Sequence, residues 1–160
     1  MKARWIRLGS IGQAEFDTAS AAIAAAQPRS AAPVLLWADE AARYPFALVA
    51  PLKYAPGLAR RWLAWGLAAA EATYRQFGVP AYLAEELCLH GRAIARSRAL
   101  ALGECAVVAS SFLMRFPESC VATPSLELEH AFRLRLEAQH GWEFDHSWPS
   151  APECIAAVSS

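Results

Sequence analysis

Lysine is almost missing from this chain: 160 residues contain two, Lys2 and Lys53. Chemistry that needs a buried ammonium therefore has only two positions to draw on. An excess of one charge is also missing, since 15 Lys and Arg stand against 15 Asp and Glu. Phosphate backbones and acidic bilayers are recognised through a basic footprint, so this balance excludes nucleic acid and membrane surfaces as expected partners. No uninterrupted apolar run approaches the roughly 18 residues of a spanning helix. The first residues, Met1-Lys2-Ala3-Arg4-Trp5-Ile6-Arg7, have no apolar core of a secretory signal, which predicts a cytoplasmic protein. None of the four cysteines (Cys88, Cys105, Cys120, Cys154) forms a CxxC pair. In that compartment they read as reduced, mostly buried thiols.

Apolar residues make up 56% of the chain and charged residues 19%, below the roughly 25% charged of an average soluble domain. A sizeable core is expected, disorder is excluded, and the length suits a single domain over residues 1–160. Arg4 to Leu8 reads as a first strand, closed by Gly9-Ser10. The alanine-rich stretch from Gln13 to Gln27 reads as a helix burying Phe16, Ala19, Ile23 and Ala26. Pro33 to Ala38 and Phe46 to Ala50 are short apolar runs that fit strands buried on both faces, with Asp39 to Pro45 as the loop between them. Gly57 to Phe77 carries apolar residues at helical spacing (Leu58, Trp62, Trp65, Ala69, Ala72), ended by Gly78 and Pro80.

Three extended segments follow: Ala81 to His90, Ala93 to Leu102 and Cys105 to Phe116, joined by Gly91-Arg92 and Gly103-Glu104. Connections this short predict an antiparallel meander. Thr123-Pro124 starts a helix running to about Gln139, with Leu128, Ala131, Phe132 and Leu136 inward and Glu129, Arg133 and Glu137 as a charge ladder on the other face. The aromatic tail Trp142 to Pro149 packs on the body, and Ser150-Ala151-Pro152-Glu153 is a capping-box pattern for a last short helix through Val158. The order of elements gives an α+β fold with a mainly antiparallel or mixed sheet flanked by helices.

Three stretches, in order, resemble the biotin/lipoate protein ligase family in its lipoate ligase and octanoyltransferase branch. Phe46-Ala47-Leu48-Val49-Ala50-Pro51 precedes a helix ending Arg75-Gln76-Phe77-Gly78-Val79-Pro80-Ala81, similar to the family's "lGv.a" helix end. Gly91 to Ala99 is similar to the "GrKiaGsAq" hairpin, and Val107 to Leu113 to the "hGsfLl" strand. The resemblance covers Val34 to Phe116. It implies a class II synthetase-like fold, lipoyl or octanoyl groups as ligands, and a lipoyl-domain or acyl-carrier protein as partner. It also implies ligand contacts at Arg92, Ala93, Arg96, Arg98, Ser110 and Ser111.

The resemblance breaks at the residues that activate the acyl group. The family's hairpin lysine, a cation beside developing negative charge, falls at Ala93, and the next family glycine falls at Arg96. The RRxxGGG-like segment, whose glycines admit close approach of a ligand, has no counterpart in Asp39 to Pro45. These departures predict a degenerate member without ATP-dependent ligation and without a cofactor, retaining an apolar cleft for an acyl group or a lipoyl-domain partner. One alternative is an acyltransferase with Cys88 as nucleophile, activated by His90 and Arg92 on the same strand face. The other is an interaction protein whose cleft has closed.

Arg92, Arg96 and Arg98 alternate along one segment and read either as a carboxylate or phosphate site or as a solvated strand face. Cys88, His90 and Cys105 lack the knuckle spacing and fourth ligand of a zinc site, so no metal is expected. Asp145-His146-Ser147 is no triad, because adjacent residues do not converge. The six tryptophans are mostly core, with an aromatic acyl pocket as the alternative.

Overall fold

The computed structural model describes residues 1–40, 43–113, 125–150 and 153. The helix expected from Gly57 begins as a 3-10 turn, Ala59–Arg61, and continues as an α-helix (Trp62–Gln76, here α2). The Trp62 indole N–H donates to the Pro56 carbonyl at 2.7 Å and fixes that entry. At the other end Gly78 takes φ +83°, and the Val79 N–H returns to the Tyr74 carbonyl. That left-handed residue closes the helix as a C-terminal glycine does.

In chain order the other elements are β1 (Lys2–Ser10), α1 (Gln13–Ala25), β2 (Val34–Asp39), β3 (Arg43–Pro51), β4 (Tyr82–Leu83), β5 (Leu87–Leu89), β6 (Arg92–Ala93), β7 (Arg98–Leu102), β8 (Cys105–Leu113), α3 (Ser125–His140) and β9 (Glu143–His146). Six strands form one sheet in the order β7-β8-β3-β2-β1-β9, and β4-β5-β6 form a small second sheet. The β2-β3, β3-β8 and β7-β8 pairs are antiparallel, whereas β1 runs parallel to both β2 and β9. The sheet is mixed and the fold is α+β.

Strands β2, β3 and β8 lie at the centre because both their faces are apolar. On one face Leu35, Phe46, Leu48 and Phe112 pack against α2 and α3, with Phe46 4.7 Å and Phe112 5.0 Å from Phe132 between ring centres. On the other, Leu36, Val49 and Val107 meet Phe16 and Ile23 of α1.

Three expectations need correction. The span Ala81 to His90 is broken into β4 and β5, with the Ala84 N–H bonded to the Glu86 carbonyl between them. The interval Asp39 to Pro45 is not a loop: Glu40 pairs with Arg43, and Arg43, Tyr44 and Pro45 already belong to β3. The charge ladder of α3 is not solvated. Glu129 is 1% exposed and takes hydrogen bonds from Arg7 and Trp5 of β1, and Glu137 accepts the Phe144 N–H. Thr123-Pro124, Cys120, Cys154 and the helix beyond Glu153 lie outside the described residues. The reciprocal bonds of the capping box are present between Ser150 and Glu153. Among the described residues no helix is long and apolar enough to cross a membrane.

Candidate functional site

A short hairpin and a long side chain build the main cleft. The Glu40 N–H donates to the Arg43 carbonyl at 2.9 Å, and the Arg43 N–H donates back at 3.2 Å. Only three residues separate β2 from β3 as a result, and Arg43 becomes the first residue of its strand, opposite Leu113 of β8. Its guanidinium Nη1 donates to the Ile94 carbonyl at 2.8 Å, so the hairpin is tied to the connection between β6 and β7. The opening bounded by that connection, the start of α1 and the end of β8 measures about 510 Å³.

The lining combines polar groups with apolar surface. Ser110 and Ser111 of β8 form the floor with Ala109, and the Ser97 and Ser110 hydroxyls lie 2.8 Å apart. Glu86 accepts the Ser97 N–H at 3.4 Å. Arg98 is paired with Asp17 of α1 at 3.0 Å; both side chains are more than a third exposed, so the pair contributes little stability. Arg96 has no hydrogen-bond or ion-pair partner among the described residues and is exposed. Beside its apolar surface, this opening presents hydroxyls, carboxylates and guanidinium groups, which suit the charged or polar end of a ligand.

The structure separates the residues singled out in the sequence. Arg96, Arg98, Ser110 and Ser111 line the cleft together. Arg92 and Ala93 do not; they form the two-residue strand β6 and are exposed, Ala93 facing Cys88 across the ladder. The three arginines share no single strand, because the chain leaves the extended state between Ala93 and Arg98, where Ala95 is buried. Cys88 lies on β5, donates its thiol to the Glu86 carbonyl at 3.3 Å and is not among the cleft residues. His90 does not continue the Cys88 strand face. His90 and Gly91 both adopt positive φ (51° and 79°) in the hairpin turn, which ends the alternation before Arg92. Cys105 is buried on β8 with its thiol pushed up by burial, and no three metal-ligating side chains gather among the described residues.

Sequence reasoning missed Arg43, Glu40 and Asp17. The signal for Arg43 was available in principle: two apolar strands that close together need a minimal turn, and that turn places Arg43 at a strand start.

No protein-family model and no curated protein matches the sequence. Solved structures do match. A bi-partite lipoate protein ligase of Thermoplasma acidophilum, described with its E2 lipoyl domain, aligns with a TM-score of 0.82 at 11% identity over 99% of this chain and 91% of its own. A lipoate-protein ligase A bound with ATP gives 0.81 at 11% identity, over 99% and 94%. The biotin protein ligase of Aquifex aeolicus gives 0.62 at 13% identity, over 87% and 69%.

This is the lipoate/biotin protein ligase fold.

Within that fold the position of every lysine can be followed. Lys2 sits on β1 and bonds Glu143 at 2.9 Å and Asp145 at 3.4 Å on β9, at the sheet edge opposite β7. The Lys53 ammonium lies 4.9 Å from the ring centre of the adjacent Tyr54. Neither lines the cleft. Among the described residues, the cations that do are Arg43, Arg96 and Arg98.

Proposed function

We propose that this chain is a ligase-fold protein that does not carry out ATP-dependent ligation. On this reading it works in the cytoplasm and holds the carboxylate end of an acyl group of the lipoyl or octanoyl class, presented by a lipoyl-domain or acyl-carrier partner or free. The observation that carries the reading is the absence of an ammonium from the cleft, with arginines in its place. Acyl activation needs a cation held against the reacting oxygens, and Ala93 offers a methyl group on an exposed strand outside the cleft. Guanidinium groups bind carboxylates in a fixed fork. Arg96, with no partner among the described residues, and Arg43, whose Nη1 donates to the Ile94 carbonyl, are available for this, while the Ser97–Ser110 hydroxyl pair offers a further donor. The open volume favours a ligand over a closed interaction surface.

Isothermal titration with lipoate, octanoate and lipoamide tests this. The two acids should bind and lipoamide, which has no carboxylate, should bind at least tenfold more weakly. Arg96→Ala should weaken the acids by about tenfold or more, the scale of a lost charge-assisted hydrogen bond. Equal binding of lipoate and lipoamide, or no binding of any of the three, would sink the proposal.

A further inference from the structure

On the opposite face of the sheet, a pocket of about 220 Å³ opens between the ends of β1 and β2 and the start of α3. A bulge creates it. Arg7 pairs with Trp37, but the next partners are Ser10 and Asp39, so three steps on β1 match two on β2. Gly9 takes φ +77° within that irregularity, a conformation side chains resist, and it lines the opening.

Two polar atoms of the lining have no partner among the described residues: the Trp37 indole Nε1 and the Asp39 Oδ1 are both buried and make no hydrogen bond there. Trp37 is 2% exposed, and its ring is held against Tyr44 at 5.6 Å and Phe112 at 5.9 Å, so the N–H cannot swing to water. Alternate strand residues share a face about 6.6 Å apart, so Trp37 and Asp39 turn their side chains to the same face of β2 and both line the pocket. The nearby charges are engaged: Arg7 and Glu129 bond each other at 2.7 Å, Glu129 also accepts the Trp5 indole N–H, and the Asp39 charge adds to the field that raises the Arg7 pKa. Ala38, Leu126 and the Trp37 ring make the rest of the wall apolar.

We propose that this pocket is a second binding site, distinct from the cleft, for a small neutral molecule carrying a primary carboxamide. The carbonyl oxygen accepts from Trp37 and the amide N–H donates to Asp39. A carboxylate would meet Asp39 with like charge, and an ammonium would leave the indole N–H unsatisfied. Native interiors leave few such groups unpaired, and one carboxamide pairs both.

The test follows the Trp37 indole N–H in the NMR spectrum of ¹⁵N-labelled protein, assigned by its disappearance in Trp37→Phe. Butyramide should shift that signal saturably, while butyrate and butylamine at the same concentrations leave it in place. Leu126→Trp, at a position 65% exposed, should fold and melt as the parent does and lose the response by filling the mouth. A signal unmoved by butyramide, moved alike by all three probes, in contact with water alone, or still responsive in Leu126→Trp would overturn the proposal. Butyramide has no carboxylate, so this result and the fate of the cleft reading are separable.

Discussion

Arg4 and Glu153, 149 residues apart, meet as a two-pronged pair: Nη1 lies 2.9 Å from Oε2 and Nη2 2.8 Å from Oε1. The carboxylate is 2% exposed and also accepts from Gln27 and from the Ser150 N–H. Its side chain therefore fastens the end of the described chain to β1 and to the end of α1.

Replacing that carboxylate should cost more than a surface ion pair. Glu153→Gln leaves the Arg4 guanidinium without its counter-charge in a mostly buried position. A loss on the order of 3 kcal/mol in urea unfolding is expected; a change below about 0.5 kcal/mol would show that the latch is only a surface pair.

Stability should fall with acid in two steps. Burial lowers the His140 pKa to about 4, so its neutral form is favoured in the folded state. The unfolded chain protonates first as the pH drops below 6.5, and stability is lost between 6.5 and about 4. For Glu153, burial works to raise the pKa, but hydrogen bonds from Arg4, Ser150 and Gln27 outweigh it and hold the value at about 2. The contribution of Glu153 is present above its ordinary value of 4.5 and is lost as the pH falls toward 2. His140→Phe, which keeps an aromatic ring stacked on Trp142, should remove the upper step and leave the lower one. An unchanged profile would contradict the assignment.

Gly66 sits where α2 touches the sheet. A Cβ there would come within 2.6 Å of the Val108 Cγ1 and 2.7 Å of its Cβ. Alanine is worth up to about 1 kcal/mol more than glycine inside a helix, yet Gly66→Ala should destabilise by about 1–3 kcal/mol through overpacking. Gly66→Ala together with Val108→Ala should recover part of that loss, as measured by thermal melting.

The parts of this fold that were readable in the sequence are those whose burial is uniform. Leu35 and Leu36, Ala47 to Val49, and Ala106 to Val108 are apolar on both faces, which marks central strands whatever their partners. What was hidden depends on partners far along the chain. The parallel strand β9 reads in the sequence only as part of an aromatic tail packed on the body, and its strand character depends on pairing with β1. Glu129 looks solvated on its helix until Arg7 and Trp5 reach it. At the candidate site, Ser110, Ser111, Arg96 and Arg98, which line the cleft, were singled out through the resemblance, while Arg43 was hidden by a strand beginning earlier than its apolar run.

Cys88 should be chemically quiet toward acyl donors. Its thiol bonds a neighbouring carbonyl and it does not line the cleft. After incubation with an octanoyl thioester, mass spectrometry should find no octanoyl adduct on Cys88, and Cys88→Ala should bind lipoate within about twofold of the parent. A stable thioester at that residue would revive the cysteine route.

The most direct test of the missing ammonium is a pyrophosphate-release assay with ATP, lipoate and a lipoyl acceptor domain, paired with intact-mass analysis of the acceptor. The account predicts no lipoate-dependent pyrophosphate and an acceptor of unchanged mass. Lipoate-dependent release together with a lipoylated acceptor would contradict it.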